Sequence, residues 1–333
     1  MDFKNYIKAK MPWTRSIYRK RKAPFNLIHN IIDKPVVILL YHRINNTNYD
    51  LFNINVTPDN FDKHIKHLKE QYNVISFEDL KYKSIKEPSV IITFDDGYFD
   101  NYKNAFPILK KYNIPATIFV TTSGIDSIKE FWWDRLETIF FKNQKLFDSI
   151  SFDIFNQTYL FDVSSKLVRQ KSFYAAHKLL FNLKPDYRDQ ILNNFYDKYS
   201  LEPNIENRTM SSSELLEIYN SKLITIGAHT INHPALKLLS YNEQYNEIQS
   251  SKLFLEKLLG TNIDLFAYPF GHKHSFDKVT EEIVEALGFS FSVSTNRAQV
   301  HTNTNCFSLP RFGVENWSEM EFHKQMKLVW FEN

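Results

Sequence analysis

The sequence predicts an α/β barrel, and three observations carry that prediction. Short apolar runs recur along the chain, each followed by a segment of helical period, the pattern of parallel strands with helices outside. The strongest runs are continuous rather than alternating, as expected of strands buried on both faces. Four of them end in residues able to do chemistry, namely His42, Asp95-Asp96, His229 and Tyr268-Pro-Phe-Gly271. The carboxyl ends of parallel strands are where such folds bind ligands.

Pro35 to His42 is the first strand, and Thr57-Pro58 opens a helix, with Thr as cap and Pro in the first turn. Phe61, Ile65 and Leu68 supply that helix's apolar stripe. Asn73 to Ser76 is a short strand. Ser89 to Phe94 follows, then a helix through Tyr112 that Pro107 should bend or break. Ala116 to Val120 is the next strand. From about 125 to 209 the strand–helix alternation stops, and the aromatic, charged sequence reads as an inserted helical subdomain opening on Phe131-Trp-Trp-Asp-Arg135. Its simplest packing is a small core of its own.

Order returns with the capping box Ser211-Ser-Ser-Glu214. Leu223 to His229 is a strand, Asn242 to Leu259 a helix stopped by Gly260, and Asp264 to Pro269 a strand. Lys278 to Leu287 is a helix, Phe289 to Ser294 a strand, and Leu309-Pro-Arg311 leads to a last helix over Ser318 to Leu328. The chain thus divides into a basic arm, 1–34, and one catalytic domain, 35–333, interrupted by the insertion.

Composition bounds the function. Of 333 residues, 43% are hydrophobic and 24% charged, ordinary for a globular chain, and the net charge of +3 gives no case for nucleic acid. The single cysteine, Cys306, rules out an internal disulfide and fits a reducing compartment. No apolar run is long enough to cross a bilayer, and the amino terminus lacks the apolar core of a secretory signal. Residues 1–23 interleave Lys and Arg with Met11, Trp13, Ile17 and Tyr18, a pattern suited to an anionic membrane surface or to a solvated arm. These features predict a cytoplasmic protein, at the inner face of the membrane where the arm engages it.

The strand ends carry the chemistry. His229-Thr-Ile-Asn-His233 brings two histidines four residues apart, with Pro234 favouring a tight turn over helix. The pair alone does not make a site. With an oxygen ligand from Asp96 it would hold a metal and leave a position for water.

Thr93-Phe-Asp-Asp-Gly97 followed by His229-Thr-Ile-Asn-His233 resembles the polysaccharide deacetylase family, the NodB-homology enzymes of carbohydrate esterase family four. That resemblance implies a distorted (β/α) barrel with one divalent metal on an Asp-His-His set, hydrolysing acetyl groups, mostly N-acetyl, on glycans. By it, Asp95 is the general base and Asp96, His229 and His233 hold the metal: zinc first, with cobalt, nickel or iron as alternatives. Phe266-Ala-Tyr-Pro-Phe-Gly271 resembles the family's third motif, which makes the backbone N–H of Phe270 the oxyanion donor. Tyr98, Phe270 and Tyr268 become candidate walls for a sugar. The acid histidine of the family sits in a Leu-x-His motif, found here as Leu40-Tyr-His42 at the first strand, as in circularly permuted members.

Two departures stand out. The arginine that usually opens the third motif is replaced by Ala267, and Arg311 is the candidate substitute from another strand. The aspartate that usually orients the acid histidine has only a loose echo in Glu315-Asn-Trp317. The implied substrate is an N-acetylated sugar in a polysaccharide or a lipid-linked precursor of a bacterial cell envelope. The alternatives are O-deacetylation or deformylation on the same framework, a catalytically silent glycan-binding module, or a structural partner docking through the insertion.

Overall fold

The computed structural model describes residues 33–47, 49–82, 85–142 and 148–330. The expected membrane-binding segment, 1–23, lies outside them. No helix among the described residues is long and apolar enough to cross a membrane.

The strands are β1 (Val36–Tyr41), β2 (Arg43–Ile44), β3 (Asn55–Val56), β4 (Asn73–Val74), β5 (Ser89–Phe94), β6 (Ala116–Val120), β7 (Ser149–Ile154), β8 (Gln157–Asp162), β9 (Ile224–Ala228), β10 (Leu265–Ala267), β11 (Phe291–Val293) and β12 (Phe312–Gly313). The main sheet is parallel and runs β11-β10-β9-β6-β5-β1-β12, with β4 beside the start of β5. A parallel bridge between Val293 and Leu309 joins β11 to the segment leading into β12, so the sheet curls back on itself. The result is the expected distorted (β/α) barrel, in which strands adjacent in sequence are adjacent in space.

Alternation along each strand separates two cores. Val37, Leu39, Tyr41, Val90, Ile92, Phe94, Ile118 and Ile226 face outward with Phe61, Ile65, Leu68, Leu109, Ile248 and Leu255 of the surrounding helices. Val36, Ile38, Ile91, Phe119, Leu265, Val293 and Leu309 fill the interior. Gly227 makes room there, since a Cβ would stand 2.5 Å from the Phe119 ring. The helix Pro58–Gln71 starts where expected, with Thr57 as cap. The helix expected to bend at Pro107 is a π-turn, Asn101–Ala105, followed by an α-helix, Phe106–Tyr112, with the proline in its first turn.

The insertion needs a correction. It is not purely helical, because β7 and β8 form an antiparallel hairpin between its helices. The burial of Ile150, Phe152, Ile154 and Phe161 on one face of that hairpin accounts for it, an alternation diluted in the sequence by neighbouring aromatics. The helices Trp132–Glu137, Lys166–Phe181 and Pro185–Tyr199 complete the unit, whose core includes Trp132, Phe140, Phe173 and Leu192.

Candidate active site

At the carboxyl end of β5 the chain must turn sharply to present two carboxylates in different directions. Asp95 continues the strand and its N–H donates to the Tyr41 carbonyl (3.1 Å), whereas Asp96 takes a left-handed backbone, φ 74°. Gly97 also has φ 74° and packs against Val120, where a Cβ would sit 2.9 Å from a methyl group. Asp95 therefore points inward with Thr93, and Asp96 toward the loop after β9.

Asp96, His229 and His233 converge with ligand atoms within 4.8 Å of one another. The Nε2 atoms of His229 and His233 lie 3.5 and 3.4 Å from Asp96 Oδ1. Two ligands about 2.1 Å from a tetrahedral ion stand about 3.4 Å apart, so these separations suit one cation. Asp96 Oδ1 is buried with no hydrogen-bond partner, which a cation would supply. His229 Nδ1 donates to the Ala267 carbonyl at 2.7 Å, since a carbonyl only accepts, and this leaves Nε2 with its lone pair toward Asp96. The turn between the histidines is tight rather than helical, with φ 64° at Thr230 and 52° at His233.

His233 is held differently. Its Nδ1 is buried without a partner, and its ring lies edge-on between Trp133 (4.7 Å between centroids) and Phe270 (4.6 Å). Trp133 belongs to the insertion, which therefore walls the site.

Asp95 meets Arg311, which reaches in from the segment before β12. Nη1 donates to Oδ1 at 2.7 Å and Nη2 to Oδ2 at 2.6 Å. Nε donates to the Ser294 carbonyl and Nη1 also to Thr93 Oγ1. The guanidinium thus stands against Asp95, although position 267 is an alanine. Burial alone would raise Asp95, but Arg311 and the nearby histidines outweigh it and hold the carboxyl below its usual range. For Asp96 burial is likewise overcome, by the His229 and His233 rings beside it, and its pKa falls to about 2. Burial lowers His233 to about 3, which keeps that ring neutral and able to ligate. Burial opposes protonation of His229 too, but Asp95 and Asp96 raise it on balance.

His42, at the end of β1, is partly exposed, and its carbonyl accepts from Asn101 Nδ2. It follows β1 where Asp95 follows the paired strand β5, with Tyr41 opposite Phe94, so it stands on the same rim. Asp50 feels His42, and its carboxylate is fixed by the N–H groups of Ile54 and Asn55. Sequence reasoning missed Asp50, which sits in no recognisable motif. Glu315-Asn-Trp317 does not fill that place: Asn316 Oδ1 accepts from Thr57 and Asn60, and the Trp317 carbonyl meets His64.

Two expected substrate walls are corrected. Tyr268 is fully buried on the helix-facing side, because the alternation of β10 puts it beside Phe266; it stacks on Phe276 and donates to the Phe307 carbonyl. Tyr98 is also fully buried, donating to Asp134 Oδ2 and accepting from Trp133 Nε1. It is part of a polar seam in which Arg43 pairs with Asp100 (2.9 Å) and Asp134 (3.3 Å), tying barrel to insertion. Phe270 alone of the three stands partly exposed at the site.

Comparison with known proteins bears on the family and the fold. The sequence pattern of the family described as polysaccharide deacetylase matches residues 82–143 and 193–292, skipping most of the insertion. YxkH of Bacillus subtilis (strain 168), named as a polysaccharide deacetylase, is 40% identical over 94 residues, 26% of this chain and 32% of that one. The poly-beta-1,6-N-acetyl-D-glucosamine N-deacetylase of Staphylococcus aureus (strain MSSA476) is 32% identical over 117 residues, 28% of this chain and 38% of that one. The matches thus span about a third of the length of these curated relatives. Among solved structures, the Streptococcus pyogenes deacetylase PplD in complex with acetate aligns over 88% of this chain and 99% of its own, with TM-score 0.58 and 22% identity. IcaB from Ammonifex degensii aligns over 90% and 97%, with TM-score 0.58 and 17% identity. The chain belongs to the polysaccharide deacetylase family.

Proposed function

We propose that the protein is a metal-dependent hydrolase that removes N-acetyl groups from a sugar in a polysaccharide or lipid-linked glycan. The observation that carries this reading is the convergence of the Arg311-held Asp95, the Asp96–His229–His233 cluster and His42 at one rim of the barrel. A divalent cation held by Asp96, His229 and His233 would polarise the acetyl carbonyl and acidify an attacking water; zinc suits the donor set best.

Asp95, ionised at neutral pH, takes the proton of the attacking water. Arg311 keeps it charged and fixes its orientation. The backbone N–H of Phe270, beside Pro269, donates to the oxygen on which negative charge develops. His42 gives its proton to the leaving nitrogen, which must depart as an amine. The curled sheet also supports the permuted reading, because β1 flanks β5 on the side opposite β6. In a sheet that curls back on itself, a strand keeps that place whether it begins or ends the chain.

The test is acetate release from N-acetylglucosamine oligomers and acetylated lipid-linked sugars by metal-loaded protein, beside chelator-treated protein. Release that depends on the metal is expected. Metal-bound protein that frees another acyl group but never acetate would replace this reading with deformylation or a related hydrolysis.

A further inference from the structure

One ring of the insertion reaches the turn Pro269-Phe-Gly271, whose Phe270 N–H is assigned to the oxyanion. Phe181 ends the helix Lys166–Phe181, and its ring meets that of Phe270 edge to face, 4.8 Å between centroids. The rest of that helix is fixed elsewhere. Phe173 and Leu180 are fully buried in the insertion's core, and His177 stacks on Trp132 at 4.6 Å. Tyr174 donates its hydroxyl to the Leu51 carbonyl at 2.7 Å, in the loop between β2 and β3. Phe181 itself is only partly buried, whereas a residue serving the insertion alone would sit with Phe173 and Leu180.

The turn that Phe181 touches needs support. Phe270 and Gly271 both take the left-handed backbone, φ 61° and 60°. At Gly271 only glycine fits, since a Cβ would stand 2.7 Å from the Thr295 backbone nitrogen. Phe270 carries a bulky side chain, and such a residue keeps this conformation only where its surroundings enforce it. Thr295 fixes the carbonyls: its Oγ1 donates to the Phe270 oxygen at 3.1 Å and its N–H to the Gly271 oxygen at 2.8 Å. The peptide between Pro269 and Phe270 is held differently. Among the described residues neither its carbonyl nor its N–H has a hydrogen-bond partner. That leaves its placement to the packing of the Phe270 ring, whose nearest ring neighbours are His233 at 4.6 Å and Phe181 at 4.8 Å.

We propose that Phe181 is a positioning residue: through the Phe270 ring it holds the turn Pro269-Phe-Gly271 in its left-handed form, and with it the N–H aimed at the developing oxyanion. The insertion then braces the catalytic rim at this turn as well as at His233. The catalytic consequence rests on the deacetylase reading; the hold on the turn does not.

The test is amide hydrogen exchange, read by mass spectrometry on the full chain, for wild type, Phe181→Ala and Phe181→Leu. Thr295 reports the turn, because its N–H is bonded to the Gly271 carbonyl. In Phe181→Ala the segments 266–272 and 292–298 should exchange about tenfold faster or more, with β5 and β6 unchanged, and Phe181→Leu should restore most of the protection. Equal exchange in wild type and Phe181→Ala overturns the proposal. So does faster exchange spread evenly over barrel and insertion, which makes Phe181 a packing residue alone. Turnover is then measured at saturating metal with whichever acyl group the wild type releases. The kcat of Phe181→Ala should fall about tenfold, short of the loss of about 100-fold or more when a donor itself is removed, while KM stays within about threefold. In a Phe270→Ala background, Phe181→Ala should cost nothing further. An unchanged kcat, or the same loss in both backgrounds, overturns the positioning role. A wild type that binds metal and releases no acyl group defeats the deacetylase reading, and the exchange rates still decide the hold on the turn.

Discussion

Arg311 grips Asp95 with both prongs of its guanidinium, Nη1 to Oδ1 at 2.7 Å and Nη2 to Oδ2 at 2.6 Å, and both side chains are buried. Removing one partner of such a pair leaves a buried charge uncompensated, at a cost of about 3–5 kcal/mol. Arg311→Met should therefore melt lower than the wild type. Without the guanidinium, burial dominates Asp95 and its pKa rises, so the acid limb of the pH–kcat/KM profile should move to higher pH. Activity at neutral pH should fall by about 100-fold with metal content kept. An unmoved acid limb would separate Arg311 from the tuning of Asp95.

Metal removal tests the Asp96 cluster. Zinc added to chelated protein at 100 times its Kd should stabilise the fold by about 2.7 kcal/mol, seen as a rise in Tm. Asp96→Ala should lose both that rise and the bound metal. Retention of one tightly held ion by the variant would place the metal elsewhere.

Because His233 is oriented by ring edges rather than by a hydrogen bond, Trp133→Leu should weaken metal binding by about 10-fold, the lower end for lost support around a ligand. Trp133→Phe should recover most of it. Equal affinities across the three chains would make Trp133 a core residue alone.

The seam behind Tyr98 predicts a pH effect on stability. Burial, only partly offset by Arg43, raises Asp134 to about 7. The folded chain then holds a proton that the unfolded chain releases near pH 4, so stability falls as pH rises from about 4 to 7 and levels off above that. The contribution is at most about 4 kcal/mol. Glu137, raised mainly by burial to about 8, carries the same trend higher. Asp134→Asn should flatten the slope in urea unfolding between pH 5 and 7; an equal slope would assign it to other groups.

His42 is the acid in this account, and His42→Asn should lose turnover by at least about 100-fold while binding metal normally. Wild-type turnover would end that assignment.

Much of this was legible in the sequence because barrel strands are short apolar runs whose ends carry the chemistry, so Asp95, Asp96, His42, His229 and His233 could be placed by strand position. Arg311 needed more, since its contact with Asp95 spans 216 positions and depends on Leu309 closing the sheet. Tyr98 and Tyr268 misled for a simple reason. An aromatic after a strand looks the same whichever face it takes, and here alternation and a buried carboxylate turned both away from the site. The hairpin of the insertion, and the contact of Trp133 with His233, depend on how two separate cores dock, which local pattern does not encode.

The most direct measurement is acetate release by wild type and Asp95→Asn with metal content read in parallel. The account predicts release by the wild type, loss of about 1,000-fold or more in the variant, and one metal per chain in both. Equal release by the two, or release from chains holding no metal, would contradict it.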